Sequence, residues 1–370
     1  MVFRRLKKSL NFQKWFYGKF SWIGLVVTVQ RSCGYSNGLW VSSLGSILFV
    51  FLRLMFRLFI VFSPSLFWVW VILDLSTIFL IPYLVSKGVL ATRWYKGVAM
   101  YFVVQFIGSA MIFYSIIEIR LMRFAIYGEW ALLFGFILKL GLFPFHFWVP
   151  RVFANMHYGG IFIVGAVQKV FIVCAVPIMF ESSVCSSVAY IRALGSVILG
   201  PVAIFYTNDV KTFLAYSSVN NTGLMAICNI IRNTLLEMYA FVYVIRIGFL
   251  VMIFARYDGD RISGIGSGLP DSYSAGFFSI ASRFSGFPPF TDFCLKFAVL
   301  ISCAENAMWR LVCGVLIRRF INLLVWVWLL ALNFRTFNLL ERTVPTYTEV
   351  LNITCVIWNI FGGILLITIY

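Results

Sequence analysis

Four ionisable residues stand inside stretches that are otherwise apolar. They are Asp74 in "WVWVILDLSTIFLIPYL", Lys139 in "LLFGFILKLGLFPFHFWVP", Lys169 in "GGIFIVGAVQKVFIVCAV", and Lys296 at the end of "FSGFPPFTDFCLK". A charge at the centre of an apolar helix costs about 2.5–3.5 kcal/mol on insertion scales. Burial favours the neutral amine, and a nearby carboxylate favours the ammonium. Lysines spaced through a low-dielectric core, with a movable acid beside one of them, are therefore the components of a proton relay. Two blander readings compete. A lysine can snorkel, sending its ammonium along a flexible stem to the headgroups. An acid such as Asp74 can make a helix-to-helix polar contact with no part in transport.

Prolines accompany two of these charges. Pro144 follows Lys139 by five residues, and Pro288 with Pro289 precedes Lys296. Proline removes a backbone donor and breaks a helix. Broken helices at membrane depth occur only where protein or a water-filled cavity surrounds them. A pair of interrupted segments in the two halves of a chain points to an inverted-repeat transporter. His146 and His157 flank a span end, where a histidine is a polar cap or, for His146 beside the break, a relay member.

The segments that must position these groups are hydrophobic from end to end. The chain has 370 residues, 62% of them hydrophobic, with a mean hydropathy of +0.94. Apolar windows long enough to cross a bilayer recur near residues 39–63, 64–86, 97–118, 126–148, 159–180, 184–206, 211–231, 235–257, 272–303, 309–333 and 346–370. The fold class expected is an all-α polytopic membrane protein of about 11 transmembrane helices. A barrel is excluded because the apolar runs are continuous, not alternating. Residues 1–38 read as a basic N-terminal arm, with a short apolar piece at 21–30, and 39–370 as a single transmembrane domain.

The net charge of +17 is scattered between apolar segments, which suits loop and headgroup contacts and not nucleic acid. Basic residues follow successive helices, as at Lys87, Arg93 and Lys96 and then at Arg120 and Arg123, so they favour neither orientation. None of the eight cysteines forms a C-x-x-C pair, so no zinc or iron–sulfur pattern is present. The glycines of "RYDGDRISGIGSGLPDSYS" lack the strand-and-helix context of a phosphate site. The 40 phenylalanines suit a T-rich gene of the kind organelles carry. Arg53, Arg57, Arg246, Arg318 and Arg319 have no specific assignment beyond lipid, a neighbouring subunit or an acid such as Glu237. Asp74 is the one convincing intramembrane acid, which counts against a cation-binding carboxylate pair.

Five stretches, in order over roughly residues 64–300, resemble the NADH–ubiquinone oxidoreductase chain 2 family of respiratory complex I. "WVILDLSTIFLIPYL" resembles the family's acid followed by a Leu/Ser-rich run and Ile-Pro. "KGVAMYFVVQFIGSAMIFY" resembles its Lys-Tyr-Phe-x-x-Gln helix. Lys139, Pro144, Phe145, His146, Trp148 and Pro150 resemble its broken helix. "NDVKTFLAYSSVNNTGLM", with Lys211, Ser217 and Ser218, resembles its Lys-x-x-x-Ala-Tyr-Ser-Ser start. "FSGFPPFTDFCLKF" resembles its Gly-x-Pro-Pro-x-x-Gly-Phe-x-x-Lys break.

The resemblance implies an antiporter-like bundle of two inverted five-helix repeats, in a form lacking the first helices of the longer bacterial type. It implies a proton-translocating subunit in which Asp74 modulates Lys139, Lys169 is the central lysine and Lys296 couples to the exit or to the next subunit. Asp74 takes the place of a glutamate and is one methylene shorter. Asn221 stands where many relatives have histidine. The resemblance further implies no cofactor or metal in this chain. NADH, FMN, iron–sulfur clusters and ubiquinone would belong to other subunits. The partners it implies are membrane-arm chains 4, 4L and 6, accessory subunits and lipids such as cardiolipin, in the mitochondrial inner membrane. The rivals are a stand-alone cation/proton antiporter and a structural subunit whose lysines only hydrate the core.

Overall fold

The structure is a computed structural model. It describes residues 66–86, 92–121, 125–175, 183–231, 233–255, 262, 291–306 and 308–334. The basic arm, the segment 21–30, Arg53, Arg57, Pro288, Pro289 and the spans at 39–63 and 346–370 lie outside them.

Among the described residues the elements are helices: α1 Leu66–Ile78, α2 Leu80–Ser86, α3 Thr92–Leu121, α4 Ala125–Leu140, α5 Trp148–Ala154, α6 Tyr158–Phe162, a π-helical turn Ile163–Val167, α7 Gln168–Ala175, α8 Ser183–Ile204, α9 Val210–Ile231, α10 Asn233–Phe254, α11 Thr291–Glu305 and α12 Trp309–Phe334. Three of them contain stretches long and apolar enough to cross a membrane, Tyr95–Ile119, Thr234–Phe254 and Trp309–Trp328. Others are interrupted or carry more polar residues than such a stretch allows.

The centre of the bundle is α9. It packs against α5, α7, α8, α10, α11 and the π-helical turn. Its sequence explains that position. Val210, Phe213, Leu214, Val219, Leu224 and Ile227 are buried, and so are Ser217, Ser218, Asn220, Asn221 and Thr222. A helix buried all round is apolar all round unless polar groups find partners inside the protein. Thr222 and Asn221 donate to carbonyls one turn back, Ser218 O at 2.6 Å and Ser217 O at 2.7 Å.

The expected span 126–148 is not one helix. It ends at Leu140, turns, and resumes at Trp148. The chain reverses at Gly141, whose φ of +68° suits glycine, and a Cβ there would meet Val149 Cγ2 at 2.5 Å. The Phe143–Pro144 peptide is cis. Three of the carbonyls at the break, those of Ile137, Leu138 and Lys139, find donors. Leu142 N bonds to Ile137 O at 3.0 Å, and Gly141 N to Leu138 O at 3.2 Å. Trp148 Nε1 also reaches Leu138 O at 3.1 Å, and Gln105 Nε2 reaches Lys139 O at 3.3 Å. The break is thus sealed by protein, as non-helical backbone at membrane depth requires.

Candidate functional site

Lys139 is held where α3 and α4 nearly touch. A Cβ on Gly108 would meet Lys139 Cγ at 2.8 Å and Gly135 O at 3.2 Å, and one on Gly135 would meet Gly108 O at 2.8 Å. Facing glycines let two backbones approach closely, the usual device of membrane helix pairs. The lysine stem lies across that crossing, 2% exposed. Its Nζ donates to Asp74 Oδ1 of α1 at 2.9 Å. The other carboxylate oxygen accepts from the Ser109 hydroxyl of α3. Trp70 Nε1, one turn before Asp74, donates to Ser109 Oγ at 2.9 Å. The shorter acid therefore reaches the lysine, with its second oxygen anchored.

A polar link leads inward from this pair. Gln105, whose amide bonds to Lys139 O, accepts at Oε1 from Gln168 Nε2 at 3.4 Å, and Gln168 accepts from the Tyr101 hydroxyl at 2.5 Å. Gln168 opens α7, next to Lys169. Both directly follow the π-helical turn, an element often found at functional positions.

Lys169 is 1% exposed, and its Nζ lies 2.7 Å from Ser218 Oγ of α9. Among the described residues no carboxylate lies within ion-pair distance of it. A hydroxyl is both donor and acceptor, so Ser218 can accept from an ammonium or donate to a neutral amine. Both protonation states of Lys169 keep a partner. Tyr243 of α10, which is in hydrogen-bonding contact with Ser218, donates to Gly165 O of the π-helical turn at 2.9 Å.

Lys296 on α11 is 3% exposed and does not snorkel. It pairs with Asp292, one turn earlier on the same helix, and Asp292 pairs also with Arg246 of α10. Asp292 is only 1% exposed. One sequence reading is corrected here. Asp74 is not the one intramembrane acid, because Asp292 is more deeply buried. Arg246, left open between lipid, a neighbouring subunit and an acid such as Glu237, meets Asp292. Asp292 was missed because it follows Pro-Pro-Phe-Thr and read as part of a break. Two signals could have found it: it stands four residues before Lys296, one helical turn, and it occupies the second glycine of the Gly-x-Pro-Pro-x-x-Gly pattern. Each of its oxygens meets a cation, Oδ1 Arg246 and Oδ2 Lys296.

Arg318 of α12 donates to Asn220 Oδ1 at 2.5 Å and Asn221 Oδ1 at 3.4 Å, and the Tyr239 hydroxyl donates to Asn221 Oδ1 at 2.9 Å. Asn221 is thus a fixed hydrogen-bond junction. Arg319 lies over the Phe293 ring at 4.4 Å. Lys211 lies over the Tyr158 ring at 5.6 Å, away from the buried lysines at the start of α9. His146 is half-buried in the turn after α4, and its ring lies 6.2 Å from that of Phe143.

A helical bundle with buried lysines, a sealed helix break and a polar interior defines an antiporter-like membrane domain. The chain belongs to the family described as NADH:quinone oxidoreductase/Mrp antiporter, TM, whose model matches residues 120–322. A curated relative, NADH-ubiquinone oxidoreductase chain 2 of Locusta migratoria, is 24% identical over 261 residues, covering 66% of this chain and 72% of its own length. The resemblance drawn from the five stretches is borne out by many relatives of that name. Among solved structures, a chain of respiratory complex I from Thermus thermophilus with bound aureothin matches with a TM-score of 0.67 at 17% identity, covering 93% of this chain and 90% of its own. A chain of an archaeal membrane-bound sulfane sulfur reductase matches with a TM-score of 0.76 at 14% identity, covering 92% of this chain and 77% of its own.

Proposed function

We propose that this chain is a proton-translocating membrane-arm subunit of mitochondrial respiratory complex I, coupling NADH-to-ubiquinone electron transfer to proton movement. The observation that carries the reading is the succession of polar groups from Asp74–Lys139, past Gln105 and Gln168, to Lys169–Ser218. Asp74 modulates Lys139, Lys169 is the central relay lysine, and Lys296 is the exit or coupling group. The chain itself holds no redox cofactor. The family's two inverted five-helix repeats and a total of about 11 spans fit the recurrence of apolar windows along the sequence. The relatives' names support the mitochondrial inner membrane, where the partners are the other membrane-arm chains and lipids.

Lysine chemistry explains why the relay needs both kinds of environment. Lys139 has a carboxylate that stabilises its ammonium, and Lys169 has a hydroxyl that serves either state. The Asp74 contact gives the Lys139 ammonium a counter-ion, and loosening that contact is the step that would free the lysine to hand its proton on. The test is Lys169→Met in the assembled complex, with proton uptake and NADH oxidation measured together in sealed membranes. A lowered proton-to-electron ratio is expected. An unchanged ratio removes Lys169 from the relay and favours the structural reading of this subunit.

A further inference from the structure

The arrangement on α11 contains a device that the relay from Asp74 to Lys169 does not use. Asp292 presents one carboxylate oxygen to each of two cations, Oδ1 to Arg246 and Oδ2 to Lys296. All three side chains are buried, at 1%, 2% and 3% exposure for Asp292, Arg246 and Lys296. The two cations differ in kind. A guanidinium stays charged at any pH a protein meets, whereas a lysine ammonium gives up its proton readily when buried.

Among the described residues, the groups around this triad come from the three helices packed on α11. From α10 come Arg246, Tyr239 and Tyr243, and from α12 comes Arg318, with Cys228 of α9 beside Arg318 and Cys303 of α11 itself. Apart from Asp292 none of these is a carboxylate. Among these described groups one acid faces Arg246, Lys296 and Arg318 together, and how it is shared decides how much compensation it gives to each. Removing one partner of a buried ion pair is costly because it strands the other charge. A carboxylate drawn fully onto Arg246 takes its compensation away from the Lys296 ammonium, and that favours loss of its proton.

We propose that Asp292 is a positioning residue for Lys296: it divides its carboxylate between a permanent cation, Arg246, and a titrating one, Lys296, and this division sets how firmly Lys296 holds its proton. A small movement of α10 against α11 shifts the carboxylate toward one cation or the other. No proton needs to pass to Asp292. With Asp292 on Lys296 the ammonium keeps its proton, and with Asp292 on Arg246 the ammonium passes its proton to a water molecule, leaving a neutral amine and a hydronium ion. The inference rests on the reading of Lys296 as a relay group.

The experiment measures the pH profile of proton translocation by the assembled complex carrying Asp292→Asn, Arg246→Gln, or both. Asp292→Asn removes the anion from Lys296, so the alkaline limb moves to lower pH, by about one unit for a tenfold weaker hold on the proton. Arg246→Gln removes the competitor, so the limb moves to higher pH. The double variant strands no charge on either replaced side chain and moves the limb to lower pH. Opposite shifts from the two single variants are the signature of a shared carboxylate. Limbs that stay put or move together overturn the proposal, and so does failure of all three variants to assemble, which makes the triad purely structural. Lys296→Met is the companion measurement. If it leaves the proton-to-electron ratio unchanged, the relay reading of Lys296 is what fails. If it lowers the ratio while the limbs stay put, only the division of Asp292 fails.

Discussion

The ammonium of Lys139 lies 2.9 Å from a carboxylate oxygen of Asp74, although the two residues are 65 positions apart and on different helices. The pair is asymmetric. The lysine side chain is 1% exposed and the aspartate 27%. Asp74 is thus the member that outside groups can reach, and Lys139 the member that depends on it.

Asp74→Ala removes the carboxylate that meets the buried Lys139 ammonium. Losing one member of a buried pair costs about 3–5 kcal/mol, and the partial exposure of Asp74 places this one toward the lower end. The expected outcome is reduced yield and lower thermal stability of the assembled complex, with recovery in Asp74→Glu. If the alanine variant is as stable as the parent, the pair contributes nothing to the fold.

Gly108→Leu forces a side chain into the space of the Lys139 stem. Even a Cβ at this position meets Lys139 Cγ at 2.8 Å and Gly135 O at 3.2 Å. Overpacking of this kind costs about 1–3 kcal/mol or more. The variant is expected to lose proton translocation more than Gly108→Ala does, with NADH oxidation by the uncoupled complex better preserved. Equal effects on both activities would point to general misfolding.

Trp148→Phe removes the indole donor that closes the break on Leu138 O. Leu138 O keeps the Gly141 amide, so the loss is that of one hydrogen bond, about 0.5–1.5 kcal/mol. Hydrogen exchange of the amides from 137 to 149 is expected to quicken in the variant. No change there would mean that the turn holds without the tryptophan.

The break itself was legible in the sequence, because proline cannot continue a helix and Pro144 stands five residues after Lys139. Its sealing was not. Which donor satisfies Leu138 O depends on where Trp148 lands after the turn, and spacing alone does not say. The burial of Lys139 and Lys169 could be anticipated from apolar flanks, while their partners, Asp74 and Ser218, lie 65 and 49 positions away and depend on helix packing. Asp292 shows the opposite failure. Its i,i+4 spacing to Lys296 was in plain view, but its place beside the two prolines disguised it as a break residue. The π-helical turn at Ile163–Val167 has no compositional mark, since one residue more per turn changes hydrogen bonding and not residue type.

Ser218→Ala takes away the hydroxyl that meets the Lys169 amine. A buried group left without its hydrogen bond costs about 1–3 kcal/mol. Proton translocation is expected to slow several-fold in the alanine variant and to recover in Ser218→Thr, which keeps the hydroxyl. Failure of threonine to recover what alanine loses would separate the effect from the hydroxyl.

The reading of this chain as a relay is tested most directly by Lys139→Met in the complete complex reconstituted into sealed vesicles. Methionine keeps the unbranched stem that lies against Gly108 and removes only the titrating group. The measurement is the number of protons moved per electron passed from NADH to ubiquinone. A lower ratio, with electron transfer still running when the membrane is uncoupled, is the result expected. A variant that assembles and pumps at the normal ratio would contradict a relay through Lys139.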